Sequence, residues 1–376
     1  MNLHVFNDSH GFFLNLTVER FKENNALENN SFINLTNNTI YTHSQVTYLK
    51  RNLPSFKRAV KNIPVITTIT FYPLDHTSVF FLQEVKKKYP AVKTSWVFWG
   101  YEFYHRPYMN QLNFEAFSAA WYKRQNGVFE QIKNACINLL KKILQIPVFN
   151  TTLLQESYAQ VNKFYSFLPQ DFKNVFATQE NTQCEYYPIS FLSIDEMKQD
   201  IAWGGITSEV MVGHAASPSI NHAEMLLQLK AISFSGKLFI PLEYGEKGYG
   251  AAIKSLANDL FPNNTEFLEQ RLSMQAYYQR LSVIGFAIFN FRWQEALGNI
   301  VFLTWNGTKI FLQQESSVYK QFAAWGITVF SIEQDLDRKS IIQLLTAEEQ
   351  QKNKTIIEGL FAEQKVKQYW AALMKD

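Results

Sequence analysis

The chain is poor in cysteine, in net charge and in long apolar runs. Cys136 and Cys184 are the 2 cysteines among 376 residues, and their separation fits neither a metal-binding nor a redox motif. We therefore expect reduced core thiols in a cytoplasmic protein. Lys plus Arg number 36 against 33 Asp plus Glu, a net charge of +3, so nothing in the composition calls for a nucleic-acid partner.

No apolar run approaches the roughly 20 residues that a membrane-spanning helix needs. The first residues, MNLHVFNDSHGFF, lack the basic start and the unbroken apolar core of a signal peptide. The length suffices for two domains. Aromatic residues are abundant, with 32 Phe, 18 Tyr and 8 Trp. Much of this aromatic surface must be core, and the rest could line a sugar site or an interfacial surface.

Strands and helices alternate in the first half of the chain. The pattern predicts strands over residues 2–7, 31–36, 65–72 and 93–100, then a helix over 153–166 and strands over 174–178 and 185–189. Such alternation is typical of a parallel sheet covered by helices, with ligands bound beyond the carboxyl ends of the strands. The residues that this places at the ligand edge are Asp8, His10, Asp75, His76 and Glu102.

The second half repeats the alternation after a linker at 190–207. The predicted strands are 208–213, 236–242, 283–289, 308–313 and 327–331, with a further segment near 265–272 and helices at 219–232 and 293–304. This pattern predicts a doubly wound domain of five or six strands. A helical tail follows, with a possible break at 351–353. We expect a first domain over 1–190, a second over 205–340, and a tail over 341–376 that crosses back to pack on the first.

A strand, a loop and a helix occur in succession between Glu209 and Leu229. Because a helix start has unpaired N–H groups and a partial positive charge, the loop can hold a phosphate there. The alternative is that Ser219 or Asn221 simply caps the helix. The loop residues that would contact the phosphate are Ser217, Ser219, Asn221 and His222.

Two further strand exits have a similar composition. Residues 241–250 contain several glycines, although their GxxGxG order is not that of a dinucleotide fingerprint. Residues 290–299 supply a cation, amides and a glycine, which suit a diphosphate or sugar hydroxyls. Three such loops at successive strand ends predict a nucleotide-type ligand.

Basic and apolar residues are mixed over 121–146. This composition is typical of a basic amphipathic helix that rests on an anionic membrane surface. The alternative is a solvated helix whose apolar stripe faces its own domain. The cations that would dock are Lys123, Arg124, Lys133, Lys141 and Lys142.

Four motifs together resemble the TDP-N-acetylfucosamine:lipid II N-acetylfucosaminyltransferase family. The matching residues are Gly213, Ser219, Asn221 and His222, then Pro241, Leu242, Tyr244 and Gly245, then Arg292 to Asn299, and Trp96, Trp99, Gly100, Glu102 and Tyr104. The chain departs from the family at His214, Ala215 and Ile220, which lie in the donor loop, so the identity of the sugar stays open.

The resemblance implies a GT-B glycosyltransferase. Such an α/β protein has two Rossmann-like doubly wound domains facing a cleft, binds the nucleotide-sugar on the C-terminal domain, and works without metal or cofactor. An Asp-x-Asp is present at Asp335 and Asp337, where we expect a helix cap. The expected donor-binding residues are Gly213, His214, Ser219, Asn221, His222, Tyr244, Gly245, Asn290, Arg292, Gln294, Gly298 and Asn299.

An inverting transfer requires a base for the acceptor hydroxyl. Glu102 matches the family's acidic position, and His10 and Asp8 are the alternatives. By resemblance the donor is a dTDP-linked deoxy or acetamido sugar and the acceptor a polyprenyl-diphosphate-linked saccharide. This places the protein at the inner face of a bacterial cell membrane, in surface polysaccharide synthesis. The rival interpretations are a GT-B-like sugar-nucleotide epimerase and a non-catalytic nucleotide-sugar-binding accessory protein.

Overall fold

The chain forms two compact units, each built on a parallel sheet. A computed structural model describes residues 1–8, 11–37, 42–105, 113–125, 127–177 and 183–375. The first unit comprises Met1–His105, Val128–Phe191 and Lys367–Asp376, and the second comprises Arg106–Gly127 and Leu192–Val366. The second unit therefore includes a segment that interrupts the first unit in sequence.

The strands of the first sheet are β1 Asn2–Phe6, β2 Asn30–Leu35, β3 Val46–Leu49, β4 Thr68–Tyr72, β5 Lys93–Val97, β6 Lys163–Ser166 and β7 Glu185–Pro188. Those of the second are β8 Val210–Val212, β9 Leu238–Pro241, β10 Thr265–Leu268, β11 Phe286–Phe289, β12 Lys309–Leu312 and β13 Phe330–Ser331. Every strand pair described in either sheet is parallel.

The α-helices up to residue 176 are α1 Phe12–Glu23, α2 Leu53–Asn62, α3 Ser78–Lys88, α4 Tyr101–Tyr104, α5 Ala116–Gln125, α6 Val128–Ile143, α7 Thr151–Tyr158 and α8 Pro169–Phe176. The later ones are α9 Ile194–Met197, α10 His222–Ala231, α11 Lys247–Leu260, α12 Met274–Leu281, α13 Leu297–Asn306, α14 Ser317–Ala324, α15 Ile332–Asp335, α16 Ala347–Phe361 and α17 Glu363–Met374. Short 3₁₀ helices occupy Pro218–Ile220 and Ser340–Ile342.

Each sheet has one topological switch point, which we call the reversal point, where the order of the strands along the chain changes direction. The strand order is β3-β2-β1-β4-β5-β6-β7 in the first sheet and β10-β9-β8-β11-β12-β13 in the second. In a doubly wound sheet a ligand binds outside the carboxyl ends of the two strands where the order reverses. These are β1 and β4 in the first unit, and β8 and β11 in the second.

The second sheet is buried on both faces. Its central strands consist almost entirely of apolar residues, and every side chain of β8, β9, β11 and β12 is buried. The core around them is formed by Leu226, Leu229, Ile253, Ala257 and their neighbours. This burial on both faces explains why the strands read as continuous apolar runs rather than as alternating patterns.

One predicted element before the linker is right only in part, and another is wrong. Residues 153–158 belong to helix α7 as predicted, but 163–166 form strand β6. The predicted strand at 174–178 falls on α8 as far as Phe176, and Thr178 lies outside the described residues. The first error arose because a four-residue buried strand is too short for periodicity to distinguish it from a helix. In the second case Pro169 occupies the start of α8, a position that its fixed φ favours.

The predicted amphipathic segment 121–146 is not one helix. α5 belongs to the second unit and α6 to the first. Gly127 stands between them, and glycine is a poor residue for a helix interior. The basic residues of this segment are therefore distributed over two helices of different units.

The C-terminal tail divides at Ala362, between α16 and α17, rather than near residue 352. Glu358 on α16 accepts a 2.9 Å hydrogen bond from Trp305 Nε1 of the second unit. Trp370 Nε1, on the part of α17 that belongs to the first unit, donates to Ser190 O at 2.9 Å. The expected tail 341–376 is therefore divided between the units. Each part of the tail contacts its own unit through a buried tryptophan, Trp305 in the second unit and Trp370 in the first.

In the part of the chain that the structure describes, no helix is both long and apolar enough to cross a membrane.

The loops after β8 and β9 are joined by a short backbone bridge. Ala216 N donates to Tyr244 O, and Glu246 N donates to Ala216 O, each at 2.7 Å. Gly245 lies between them with φ +112°, and a Cβ there would lie 2.4 Å from Ala216 O. Only glycine fits this close approach without strain.

We predict that Gly245→Ala destabilises the protein by about 2 kcal/mol or more, because it adds both a steric clash and an unfavourable φ. Chemical denaturation followed by circular dichroism measures the change. Gly359→Ala is the matched control, since that glycine lies within α16 and a Cβ there would meet nothing within 4 Å. The control should stabilise the protein by about 0.5 to 1 kcal/mol. Equal stability of the two variants would contradict the prediction.

Candidate functional site

Backbone hydrogen bonds join the loops at the carboxyl edge of the second sheet around its reversal point. Gly213 N, after β8, donates to Ile288 O of β11 at 2.9 Å. Ser317 N, at the start of α14, donates to Arg292 O in the loop after β11 at 3.2 Å. Together with the bridge at Gly245, these bonds hold the exits of β8, β9, β11 and β12 as one edge.

Gly213 and His222 are in direct contact. Gly213 has φ +68°, and a Cβ there would lie 2.3 Å from His222 Nε2. The imidazole of His222 is fully buried, and neither ring nitrogen has a hydrogen-bond partner among the residues that the structure describes. Burial, assisted by His214, lowers the pKa of His222 to about 3. The ring is therefore neutral and offers no positive charge to a phosphate, and its backbone N–H donates to Tyr249 Oη at 3.3 Å.

His214 is buried beside an acidic side chain. Its Nε2 lies 4.0 Å from Glu295 Oε2, and its Nδ1 has no partner. Burial lowers the pKa of His214, and the Glu295 carboxylate opposes this shift. The ring of Tyr244, which is 55% exposed, lies 6.2 Å from the imidazole.

The side-chain amide of Asn221 links three segments of the second unit. Its Nδ2 donates to Asn113 O at 3.0 Å, to Ser219 O at 3.2 Å and to Asn290 O at 2.9 Å. Its Oδ1 accepts from Glu115 N at 2.9 Å. It makes no side-chain cap to α10. The amide thus positions the loops, and Ser219 Oγ is hydrogen-bonded to Ser217 Oγ at 2.8 Å.

The exit of β9 contributes a carboxyl group that sequence reasoning missed. Glu243 has a buried Oε2 without a hydrogen-bond partner, and burial raises the pKa of this carboxyl to about 7. Burial and the nearby Glu243 also raise the pKa of Tyr277. The Tyr277 hydroxyl accepts from Asn299 Nδ2 at 3.0 Å, so the predicted donor residue Asn299 lies in the same cluster.

Arg292 follows β11 and is half-buried. Its guanidinium makes no hydrogen bond or ion pair with any residue that the structure describes. Gln294, two residues later, has a buried Oε1 without a partner. Helix α13 begins just beyond, after Ala296 at φ +53°, and Gly298 lies in its first turn. An unpaired cation next to a helix start is suited to a diphosphate.

Glu115 is the main residue of this edge that sequence reasoning missed. Its Oε1 accepts from Asn290 Nδ2 at 3.1 Å and from Gln313 Nε2 at 3.2 Å. Burial raises the pKa of Glu115, while the Arg292 charge lowers it. No local motif marks Glu115, because its partners are more than 100 residues away in sequence.

Glu224 fastens the Glu115 segment to the unit. Its Oε1 accepts from the N–H groups of Phe117 and Ser118 at 2.9 and 3.0 Å. These are free donors at the start of α5. Ser118 Oγ donates to Glu224 Oε2 at 3.0 Å. The carboxylate of Glu224 therefore caps α5 and fixes Glu115 beside Asn290.

In the first unit, two of the acidic residues at the reversal point cap helices. Asp8 accepts from Gly11 N at 2.8 Å and Leu14 N at 3.2 Å. Asp75 accepts from Thr77 N at 3.0 Å and Ser78 N at 2.8 Å, and its other oxygen accepts from Asn7 Nδ2. His76 is exposed, and His10 lies outside the described residues.

Glu102 lies on the short helix α4 and is buried. Its Oε1 accepts from Trp96 Nε1 at 3.0 Å and from Trp99 N at 2.9 Å, whereas its Oε2 has no partner within the described ranges. Burial raises the pKa of Glu102 to about 7, and the Asp75 charge adds to the shift. Burial and the same two carboxylates raise the pKa of Tyr101. A carboxyl group that titrates near neutrality can accept a proton from a hydroxyl.

The Asp-x-Asp pair has a structural role. Asp335 accepts from Ser331 N and Asp337 accepts from Ser340 N, each at 2.7 Å. Among the residues that are described, no group of three or more His, Cys, Asp or Glu side chains is arranged to hold a metal ion.

The predicted membrane-docking cations divide between the units. Lys123 and Arg124 lie at the end of α5, and Lys133, Lys141 and Lys142 lie on α6. From residue 132 to the end of α6 the apolar side chains are exposed, as most of the polar ones are. The largest exposed fractions are Ile132 57%, Leu139 61%, Leu140 57% and Ile143 69%, and Leu144 after the helix is 62% exposed.

Comparison with solved structures shows the fold. A trehalose-6-phosphate structure from E. coli bound with UDP-2-fluoro glucose has a TM-score of 0.64 at 10% identity, over 100% of this chain and 98% of that one. A glycosyltransferase from Rickettsia africae has a TM-score of 0.61 at 10% identity, over 100% and 97%. The N-terminal domain of Candida albicans trehalose-6-phosphate phosphatase has a TM-score of 0.62 at 10% identity, over 100% and 96%. The fold is GT-B, with two parallel-sheet α/β domains.

No curated protein is similar enough in sequence to count as a match. A family model described as 4-alpha-L-fucosyltransferase, glycosyl transferase group 56, matches residues 152–375. This match covers more than half of the chain, including the whole carboxyl edge of the second sheet except the Glu115 segment. The chain therefore belongs to the 4-alpha-L-fucosyltransferase family, glycosyl transferase group 56, and is a glycosyltransferase.

Proposed function

We propose that this glycosyltransferase moves a deoxy or acetamido sugar from a dTDP-linked donor to a polyprenyl-diphosphate-linked saccharide, in the synthesis of a bacterial surface polysaccharide. In this proposal the second unit binds the donor and the first unit binds the acceptor. The observation that carries it is the guanidinium of Arg292, which pairs with no residue in the described part of the chain and lies at the reversal point of the second sheet, next to the start of α13. The family match supports the reaction class.

The donor diphosphate develops negative charge as the sugar leaves. Without a metal, this charge must be stabilised by cations and by the N–H groups of a helix start. We assign Arg292 as the cation, and Gln294, Gly298 and Asn299 to the diphosphate and the adjoining ribose or sugar. His214, Tyr244 and Gly245 border the same edge. Gly213, Ser219, Asn221 and His222 are buried, and we assign them the role of shaping the loop.

We predict that Arg292→Gln weakens binding of dTDP about tenfold to a hundredfold, the usual range for loss of a charge-assisted hydrogen bond. Isothermal titration calorimetry with dTDP measures this directly. Lys320→Gln is the matched control, because Lys320 is an exposed cation of the same unit, paired with Glu315. Equal losses in the two variants would contradict a specific role for Arg292, and absence of any dTDP binding by the wild-type protein would contradict the donor proposal.

We assign Glu102 as the base that takes the proton from the acceptor hydroxyl. Its raised pKa suits this role, and its Oε2 has no competing hydrogen bond. Because Oε2 is buried, the assignment requires α4 to shift when the acceptor binds. Asp8 has both oxygens occupied by α1 and is a weaker candidate. His10 is retained as a candidate from the sequence alone.

We predict that turnover rises with pH and is half-maximal near pH 7, because the Glu102 carboxyl must lose its proton before it can act as a base. Glu102→Gln should abolish this dependence and lower kcat by about 100-fold to 10,000-fold. Measurement of kcat against pH for released nucleotide tests both statements. Glu156→Gln, at an exposed position on α7, is the control. A Glu102→Gln protein with wild-type kcat would exclude the assignment.

We propose that α6 docks on the inner face of the cell membrane, where a polyprenyl-linked acceptor would be found. Its exposed leucine and isoleucine side chains can enter the acyl boundary, while Lys141 and Lys142 attract anionic headgroups. The exposure of these apolar side chains supports docking rather than the alternative, in which an apolar stripe of a solvated helix faces its own domain. An apolar patch of this kind is uncommon on a surface that meets only water.

We predict that the protein co-sediments with vesicles containing phosphatidylglycerol and much less with vesicles of phosphatidylcholine alone. Lys141→Glu with Lys142→Glu should reduce the bound fraction at least about tenfold, since each basic residue near an anionic surface contributes on the order of 1 kcal/mol. Lys57→Glu with Lys61→Glu, exposed on α2 of the same unit, is the charge-matched control. Binding that ignores both the lipid charge and the α6 substitutions would refute membrane docking.

A further inference from the structure

The carboxylate of Glu115 fixes the orientation of two neighbouring amides. A carboxylate only accepts hydrogen bonds, so the groups that face its Oε1 must be the nitrogen ends of Asn290 and Gln313. This removes the ambiguity that side-chain amides otherwise have between their oxygen and nitrogen. The oxygen ends of both amides therefore point elsewhere.

Those amide oxygens are buried, and neither is hydrogen-bonded to a residue that the structure describes. Asn290 is 1% exposed and Gln313 is 5% exposed, yet within the described part of the chain Asn290 Oδ1 and Gln313 Oε1 have no hydrogen-bond partner. The second oxygen of Glu115, on a half-buried side chain, also has no partner among the described residues. Buried polar atoms without partners are uncommon and costly in a folded protein.

The atoms of Glu115, Asn290 and Gln313 that pair with no described residue are all oxygens that accept hydrogen bonds. A phosphate at neutral pH is itself mainly an acceptor, so it gains nothing here and is repelled by the Glu115 charge. A ligand that fits must bring O–H or N–H donors. Sugar hydroxyls, and the N–H of an amino or acetamido substituent, are groups of that kind.

The cluster is also in the right place for a sugar. Asn290 and Gln313 directly follow β11 and β12, which are neighbours in the sheet. Arg292, two residues after Asn290, lies within electrostatic range of Glu115. If Arg292 binds the diphosphate, the sugar attached to it would therefore lie within reach of the hydrogen-bond-accepting oxygens of Glu115, Asn290 and Gln313.

We propose that Glu115, Asn290 and Gln313 form the subsite that binds the transferred sugar through its O–H and N–H groups. In this subsite Glu115 determines the specificity for a sugar that carries many hydrogen-bond donors. This inference rests on the proposed donor site and deepens it. It assigns Glu115 and Gln313, which lie outside the motifs of the sequence, to recognition of the sugar rather than of the nucleotide.

The test compares binding of dTDP with binding of dTDP-glucose and dTDP-linked 4-amino or acetamido sugars, by isothermal titration calorimetry. In Glu115→Gln the amides lose their fixed orientation. We expect the affinity for the best dTDP-sugar to fall about tenfold, as for loss of one or two hydrogen bonds. Affinity for dTDP should stay within about twofold or increase, since a negative charge near Arg292 is removed.

Two further variants keep the result interpretable. Glu315→Gln changes an exposed carboxylate that is paired with Lys320, and it should alter neither affinity. Gln313→Met keeps the size of the side chain but removes its polar atoms, and it should repeat the selective loss for the dTDP-sugar. Thermal unfolding of each variant establishes that the protein is folded.

The outcomes separate this inference from the proposed function. If Glu115→Gln changes the affinities for dTDP and for every dTDP-sugar by the same factor, the sugar subsite is refuted while the donor site stands. If the wild-type protein binds neither dTDP nor any dTDP-sugar, the donor site itself is refuted, and the sugar subsite with it. A selective loss for the sugar-bearing ligands supports the subsite.

Discussion

The carboxyl edge of the second sheet depends on one buried amide, that of Asn221. Its four hydrogen bonds join the loop after β8, the loop after β11 and the segment before α5. Each of these segments would otherwise leave buried backbone groups unpaired, at a cost of about 1 to 3 kcal/mol for each group. A polar residue at the centre of the edge thus stabilises a set of loops that are far apart in sequence.

The hydrogen bonds of Asn221 explain how the loops of this edge can be held in place while some of its polar groups pair with no described residue. The close contact between Gly213 and His222, and the bridge between Ala216 and Gly245, use backbone geometry to bring the loops together. The groups left over are a guanidinium at Arg292 and a set of acceptor oxygens around Glu115. Because the loops are held by other residues, these groups are available to the nucleotide-sugar that we propose as the donor.

In each unit some acidic residues cap helices, whereas others have a raised pKa. In the first unit Asp8 and Asp75 are consumed in capping α1 and α3, and Glu102 keeps one oxygen unpaired in a buried aromatic setting. In the second unit Glu224 is a cap, whereas Glu115 and Glu243 have raised pKa values. Burial raises the pKa of Glu102, Glu115 and Glu243, and raised carboxyl pKa values are common among groups that take part in chemistry.

The sequence by itself determined the class of fold, the GT-B architecture and the glycosyltransferase family, and the comparisons confirm them. The continuous apolar runs of buried parallel strands predicted the α/β class, whereas the GT-B architecture and the family were implied by the resemblance that motifs such as 213–222 and 290–299 carry. Tertiary structure alone decided that Asn221 and His222 are buried, that α5 and α6 belong to different units, and that Glu115 meets Asn290 and Gln313. The hydrogen bonds of Asn221 to the segment before α5, and those of Glu115 to Asn290 and Gln313, join residues more than 100 positions apart, and local periodicity carries no information about such contacts.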